Sequence, residues 1–106
     1  MVARVRGSCN KEQEIRMHLE KALEQAKVRV RLKDAPEEAK DVVLKVDRKG
    51  ANFIIEFRNK HERMQIPAML VQLIGEAISN LIRKLRLSLD RHSSDGFHVT
   101  YKLASS

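Results

Sequence analysis

Two short polar segments of the chain contain residue types that hydrolytic enzymes use. His61 and Glu62 begin the pattern of a zinc-protease helix, in which a second histidine ligand follows three residues after the glutamate. Gln65 occupies that position, so the pair of metal ligands is incomplete. Residues 92–95 read His-Ser-Ser-Asp, but neighbours in one turn cannot adopt the geometry of a catalytic triad with a separate oxyanion hole. Neither segment predicts catalysis.

The remaining candidates for chemistry are isolated from one another in the sequence. The four histidines form no pair at helical spacing, and the single cysteine, Cys9, allows neither an intrachain disulfide nor a cysteine metal cage. The four glycines are too far apart for a phosphate-binding loop. We therefore expect a protein that is not an enzyme and that has no catalytic, cofactor-binding or metal site.

Charge is the clearest functional signal in the composition. Lys and Arg number 21 against 14 Asp and Glu, which gives a net charge of +7. Such an excess attracts polyanions at long range, whatever the fold. Nucleic acid, an anionic membrane surface and an acidic protein are the candidate partners, and we rank nucleic acid first. A basic surface that serves only solubility is the alternative.

Length and composition indicate one folded domain. A chain of 106 residues with 42% hydrophobic residues can bury a core without disulfides or a structural metal. Arg4 and Arg6 interrupt the apolar residues near the N-terminus, and no apolar run approaches membrane-spanning length. We expect an intracellular protein, in the cytoplasm or nucleus, that does not enter a membrane. The predicted organisation is a basic flexible arm over residues 1–9 (alternatively a short edge strand), one α+β domain over residues 10–103 and a tail over residues 104–106.

The first half of the domain predicts a helix followed by a strand. Asn10 and Gln13 resemble a capping box, and apolar residues then repeat with helical spacing as far as residue 26. From residue 28 the period changes to two, because Val28, Val30 and Leu32 alternate with basic residues. This alternation predicts a half-buried strand with a basic solvent face. That face consists of Arg29, Arg31 and Lys33.

The rest of the chain predicts two hairpins and a second helix. Strands over residues 41–47 and 53–58 are joined by a turn at residues 48–52, and residues 59–65 supply a further short strand. Pro67 opens a helix over residues 68–85, and a closing hairpin follows over residues 85–103, with its turn at residues 90–96. The predicted fold is α+β, with an antiparallel sheet of four to six strands and two helices packed on one face, in the order α-β-β-β-(β)-α-β-β.

This predicted order resembles two known folds. The predicted order over Asn10–Leu85, a helix, three strands and a second helix, is similar to that of a double-stranded-RNA-binding domain. That family has a basic cluster at the start of its second helix, and the corresponding segment here, Pro67–Ile74, is apolar. A strand that ends in Ile66-Pro67 and leads into a helix also resembles a single-strand-binding coactivator fold. Both resemblances imply nucleic-acid binding, and they leave RNA, DNA and strandedness open.

A basic sheet face is the predicted nucleic-acid-binding surface. If helices cover one face of the sheet, basic residues from several strands project together from the other and can follow a phosphate backbone. The hairpin tip and the N-terminal arm add further contacts. The predicted residues are Arg4, Arg6, Arg29, Arg31, Lys33, Lys45, Arg48, Lys49, Arg58, Arg63 and Lys102. Because Phe53, Phe57, Phe97 and Tyr101 share the parity of the buried face, we expect backbone and shape recognition rather than base stacking.

The second helix predicts a contact with a protein partner. Its apolar stripe is wide, and Gly75 within it costs about 1 kcal/mol relative to alanine. Met69, Val71 and Gly75 form the predicted interface, either in a homodimer or in a larger complex. A packing notch inside one subunit is the alternative explanation for Gly75. A protein-interaction or assembly domain is therefore the alternative function.

Overall fold

The chain begins with a long helix, α1, over Val2–Asp34. The computed structural model describes residues 2–34, 37–61 and 63–105, and for residues 2–10, 34, 37 and 38 it describes the backbone alone. Apolar side chains spaced three and four residues apart form one buried stripe along α1. The stripe consists of Ile15, Leu19, Leu23, Ala26 and Val30. The helix ends two residues before Pro36, a residue type that disfavours helical backbone at the position before it.

A short helix and a tight hairpin follow. Helix α2 spans Glu37–Lys40, strand β1 spans Val42–Lys49 and strand β2 spans Asn52–Asn59. The two strands pair antiparallel, with Lys49 directly opposite Asn52. Gly50 is the first of the two loop residues and has φ +65°, a conformation that a type II′ hairpin turn assigns to glycine. The predicted hairpin is confirmed.

The second half of the chain consists of one helix and a second hairpin. Helix α3 spans Ala68–Leu85, and the carbonyl of Pro67 accepts a hydrogen bond from the Val71 N–H at 3.0 Å. The helix ends at Arg86, whose backbone is left-handed with φ 55° and whose N–H donates to the Ile82 carbonyl. Strands β3 (Leu87–Ser94) and β4 (His98–Ser105) then pair antiparallel, with a register shift between Leu89 and Arg91.

The four strands form one antiparallel sheet in the order β1-β2-β4-β3. Alternate residues of β1, β2 and β4 are buried, because α1 packs against β1 and α3 packs beside it on the same side of the sheet. The core between helices and sheet includes Val46 of β1, Phe53, Ile55 and Phe57 of β2, Val99, Tyr101 and Leu103 of β4, and Leu70, Ile74, Ile78 and Leu81 of α3. The α+β class, the antiparallel sheet and two main helices are as predicted.

The predicted strand over residues 28–33 is wrong, because α1 continues through it. Val30 is 1% exposed and lies four residues after Ala26 on the buried helical stripe. Val28 and Leu32, which a strand would place on the same face as Val30, are 54% and 81% exposed. An apolar residue at every second position therefore fits a strand at all three positions but fits the buried stripe of a helix at only one, Val30. Packing of Val30 into the core decides for the helix.

Other boundaries also differ from the prediction. No separate strand follows β2, which ends at Asn59, within the described residues before α3, so only two strands precede α3 and the order of a double-stranded-RNA-binding domain is not met. Strand β3 continues to Ser94, into the predicted turn at residues 90–96, because a polar exposed strand at the sheet edge still pairs its backbone with β4. Strand β4 extends into the predicted tail, to Ser105. The backbone of residues 2–9 continues α1, in place of the predicted arm or edge strand, since no residue there is a proline that would stop a helix.

Candidate nucleic-acid interface

One face of the sheet carries no helix, and we call it the open face. Residues directly opposite each other in an antiparallel register point to the same side of the sheet, so the pairing identifies the side chains on this face. Lys45 lies opposite Glu56, Ile54 lies opposite Lys102, and Lys102 lies opposite Arg91. The open face therefore combines side chains from all four strands.

Cations predominate on the open face. All four strands contribute at least one, and the set consists of Lys45, Lys49, Arg58, Arg91 and Lys102. The same parity places two carboxylates there, Asp47 and Glu56. Arg91 and Lys102 are directly opposite each other. Like charges in this arrangement destabilise the sheet, and an anion bound between them reduces their repulsion.

Two of these lysines form exposed ion pairs. The Lys45 Nζ lies 3.8 Å from Asp47 Oδ2, and the Lys102 Nζ lies 3.5 Å from Asp90 Oδ2 at the bulge in β3. Ion pairs at this exposure contribute about 0 to 1 kcal/mol, so a phosphate can compete for either lysine. Arg58, on the central strand β2, is exposed and forms no ion pair within the described residues. Lys49 and Arg91 are exposed as well and Lys102 is half-exposed, so all five cations of the face are accessible to a ligand.

No Phe or Tyr side chain of the described strands lies on the open face, where the one ring in the described residues is the exposed imidazole of His98, opposite Arg58. Phe53, Phe57 and Tyr101 are buried on the helix side, as their parity predicted. Phe97 lies in the turn between β3 and β4 and is half-buried. A ligand on the open face would consequently meet Lys and Arg, hydroxyl groups, the aliphatic Ile54 and a single ring, that of His98, on which a base can stack.

The predicted binding residues do not form one surface. Lys45, Lys49, Arg58 and Lys102 lie on the open face. Arg29, Arg31 and Lys33 are exposed on the last part of α1, on the helix side, so they are not neighbours of those residues. This corrects the prediction of a basic strand, and its cause is the helical backbone of residues 28–33.

The remaining predicted residues lie at the ends of the sheet. Arg48 points to the helix side at the hairpin tip, where its guanidinium lies 5.9 Å from the ring centre of Phe53 and its Nε donates to the Gly50 carbonyl. Arg63 is exposed in the loop between β2 and α3. The side chains of Arg4 and Arg6 lie outside the described residues. Arg91, on the open face, was not predicted, because its segment was assigned to a turn.

The histidine-containing segments have structural contacts. The N–H groups of His98 and Phe97 donate to Asp95 Oδ1 at 2.7 and 2.9 Å, and these bonds hold the pKa of Asp95 below its ordinary value. The His92 ring stacks on Tyr101, with ring centres 4.5 Å apart. His61 Nε2 lies 3.0 Å from Asp41 Oδ2. Within the described residues no cluster of three or more His, Cys, Asp or Glu is arranged to hold a metal ion.

The predicted protein interface on α3 lies partly inside the molecule. Met69 and Val71 are half-buried against the core. A Cβ added at Gly75 would lie 3.7 Å from the Tyr101 hydroxyl, so the small residue faces β4 of its own subunit. Of the two explanations for Gly75, this contact agrees with the notch inside one subunit. A contact of these residues with a partner stays a prediction.

A groove between α1 and α3 is a feature that the sequence analysis missed. It lies on the outer side of the helix layer, has a volume of about 610 Å³ and is lined by Met17, His18 and Lys21 of α1 and by Leu81 and Lys84 of α3, among others. Burial lowers the pKa of His18 below its ordinary value, and the neighbouring charges of Lys84 and Lys21 lower it further. The separate periodicities of the two helices contain no signal for this groove, because its sides come from residues about 60 positions apart.

Two further findings concern membrane-spanning segments and similarity to known proteins. No helix within the described residues has the length and apolar character needed to cross a membrane. Comparisons with protein-family models, with curated proteins and with solved structures find no match.

Proposed function

We propose that this chain is a non-enzymatic nucleic-acid-binding module that contacts the phosphate backbone through the open face of its sheet. One observation carries the proposal: every strand supplies a cation to the one sheet face that no helix covers. The residues are Lys45, Lys49, Arg58, Arg91 and Lys102.

The chemistry of the face favours backbone contacts over base recognition. Lysine and arginine on adjacent strands, about 5 Å apart, can contact successive phosphates, whereas sequence reading of single strands generally uses exposed aromatic rings. Among the described residues the open face carries one such ring, that of His98, beside five cations. We therefore expect affinity that depends strongly on salt and weakly on base sequence. In this proposal Arg58 and Arg91 of the sheet take the place of Arg29, Arg31 and Lys33, which the sequence analysis assigned to a basic strand and which lie on α1.

The test is a binding titration with two variants of equal charge. The open-face variant is Lys45→Gln, Arg58→Gln and Lys102→Gln, and the control variant is Arg29→Gln, Arg31→Gln and Lys33→Gln on the exposed part of α1. Labelled duplex RNA, duplex DNA and single strands are each titrated across a salt series by fluorescence anisotropy. We expect the open-face variant to lose about tenfold or more in affinity and to lower the log–log salt slope by about 2 to 3, since each phosphate contact contributes about 0.7 to 0.9 to that slope.

The control variant separates a binding face from net charge. If binding uses the open face, the control loses less than about threefold, because it removes only long-range attraction. Equal losses in both variants would show that any cation of the chain serves equally, and the proposed face would be wrong. Absent binding of every probe by the wild-type protein at low salt would refute the function itself.

A further inference from the structure

The groove between α1 and α3 has the size and lining of a peptide-docking site. Met17, on its α1 side, is 68% exposed, and methionine is a flexible side chain that adapts to different apolar partners. Ala22 and Ala77 face each other across the floor, and their small side chains leave the space between the helices open. An exposed apolar depression with a polar rim is a common feature of interaction surfaces.

The groove is elongated along the helices. Its main depression continues into a second one of about 170 Å³, with which it shares Ala22 and Ala77 and which is lined by Arg29 of α1 and Glu76 of α3. On α1 the lining thus runs from Glu14 to Arg29, which corresponds to about 22 Å at 1.5 Å per residue. This length matches about four turns of a second helix, and it exceeds the reach of a compact small molecule.

The rim of the groove is basic on both sides at one end. Lys21 stands on α1 and Lys84 on α3, and neither has an ion pair in the part of the chain that the structure describes. Glu14 also lines this end of the groove. The neighbouring charges that lower the pKa of His18 are nevertheless those of Lys84 and Lys21. A ligand that lies in this end of the groove meets an apolar floor with a cation on either side.

We propose that this groove binds an acidic amphipathic helix of a partner protein. The apolar face of such a helix contacts Met17, Leu85 and the alanines of the floor, and carboxylates on its two flanks reach Lys21 and Lys84. Charge complementarity argues against a second copy of this chain as the occupant. Each copy carries a net charge of +7, so a second copy would approach the groove as a like-charged partner.

The experiment uses a designed peptide as its probe. A fluorescein-labelled peptide of about 18 residues carries leucines on one helical face and glutamates on both flanks of that face. A matched peptide has lysine in place of every glutamate. We expect the acidic peptide to bind and the basic peptide to bind at least about tenfold more weakly, because the rim charges attract one and repel the other. Equal affinity of the two peptides would overturn the proposal.

Two charge-reversal variants locate the site. Lys21→Glu with Lys84→Glu should weaken binding of the acidic peptide about tenfold, since both flanking attractions become repulsions. Lys45→Glu with Lys102→Glu makes the same change of net charge on the open face and should leave the peptide affinity within about twofold. A larger loss in the second variant than in the first would assign the peptide to the open face and refute the groove. Melting temperatures of both variants report whether the fold is intact.

A methyl signal gives an independent readout on the unaltered protein. The chain has four methionines, Met1, Met17, Met64 and Met69, and the methyl group of Met17 is the one in the groove. With methyl-labelled methionine, the acidic peptide should shift the Met17 resonance and leave Met69 in place. A shift of the Met69 resonance without a shift of Met17 would overturn the proposal. A shift of Met17 when the protein concentration alone is raised would also overturn it, in favour of self-association.

This inference is separate from the proposed function. The open face and the groove lie on opposite sides of the sheet, so each set of variants acts on one ligand. A protein that binds the acidic peptide but no nucleic acid would sustain the groove and refute the open face. A Met17 shift caused by duplex nucleic acid, with no response to the peptide, would refute the groove as a peptide site.

Discussion

The open face and the helix groove are both basic, but they differ in what lies between the charges. On the open face, Lys45 and Lys102 have carboxylates within 3.8 and 3.5 Å, and the surface between the cations is flat sheet. In the groove, Lys21 and Lys84 stand over an apolar floor that includes Met17. Cations spread across a flat surface suit a long polyanion, whereas cations at the edges of an apolar depression suit an amphipathic ligand. Net charge alone does not distinguish these two surfaces.

The largest expected effect tests the helix that separates the two surfaces. Val30 is buried in the helix layer and Leu32 is 81% exposed, so Val30→Asn should lower the free energy of unfolding by about 2 to 4 kcal/mol and Leu32→Asn by about 0.5 kcal/mol or less. The two substitutions introduce the same residue two positions apart in one helix. Urea denaturation followed by circular dichroism measures both values. Similar losses would indicate a strand, in which both residues share one face, and would return Arg29 and Arg31 to the sheet.

A smaller effect tests the carboxylates of the open face. Asp47→Asn with Asp90→Asn removes the partners of Lys45 and Lys102, and we expect nucleic-acid affinity to rise about fivefold, consistent with two exposed pairs of about 0.5 kcal/mol each. Glu14→Gln, in the groove, should leave nucleic-acid affinity unchanged. Anisotropy titrations at one fixed salt concentration compare the three proteins. An unchanged affinity of the double variant would mean that neither lysine takes part in binding.

The smallest expected effect concerns His18 in the groove. Burial, then Lys84, then Lys21 lower the pKa of His18 below 6.5, while Glu14 on α1 is the carboxylate that lines the same end. Lys84→Gln should raise the pKa of His18 toward its ordinary value, whereas Lys102→Gln on the open face should not change it. Titration of the His18 ring signal by NMR measures the difference. The same pKa in all three proteins would show that the groove is not a distinct basic environment.

The sign of the accompanying stability change follows from proton binding. Because the pKa of His18 is lower in the folded protein, the unfolded chain binds more protons just below pH 6.5. The contribution of His18 to stability is therefore complete above pH 6.5 and is lost as the pH falls toward the folded-state pKa. His18→Gln should remove this part of the pH dependence, which unfolding curves above and below pH 6.5 measure. If His18→Gln left the pH dependence of stability unchanged, His18 would not contribute to it.

The hairpin of β1 and β2 shows what local patterns predict well. Its alternation of buried and exposed residues, the glycine in its turn and the parity of Phe53 and Phe57 are properties of neighbouring residues, and all agree with the structure. Helix α3 likewise follows from its apolar spacing and from Pro67. The hairpin thus places Lys45 and Arg58 on one face without knowledge of the tertiary structure, whereas Lys102 joins them only through the strand order.

The segment Val28–Lys33 shows where local patterns are insufficient. Its alternation fits a strand, but no turn residue separates it from the preceding helix, and the next proline is Pro36. Only the burial of Val30 against the core distinguishes the helix from the strand. The polar strand β3 was missed beyond Leu89 for a related reason, because an exposed edge strand needs no apolar alternation to pair its backbone.

The sequence by itself determined the charge, the class of fold and the face to which each residue of the central hairpin points, because composition and twofold alternation are local properties. The tertiary structure alone decided that Arg29 and Arg31 lie apart from Lys45 and Arg58, that Arg91 joins the open face, and that Lys21 and Lys84 flank one groove. Each of these depends on which elements pack together. That choice minimises the exposed apolar surface of the whole chain, and no segment contains it alone.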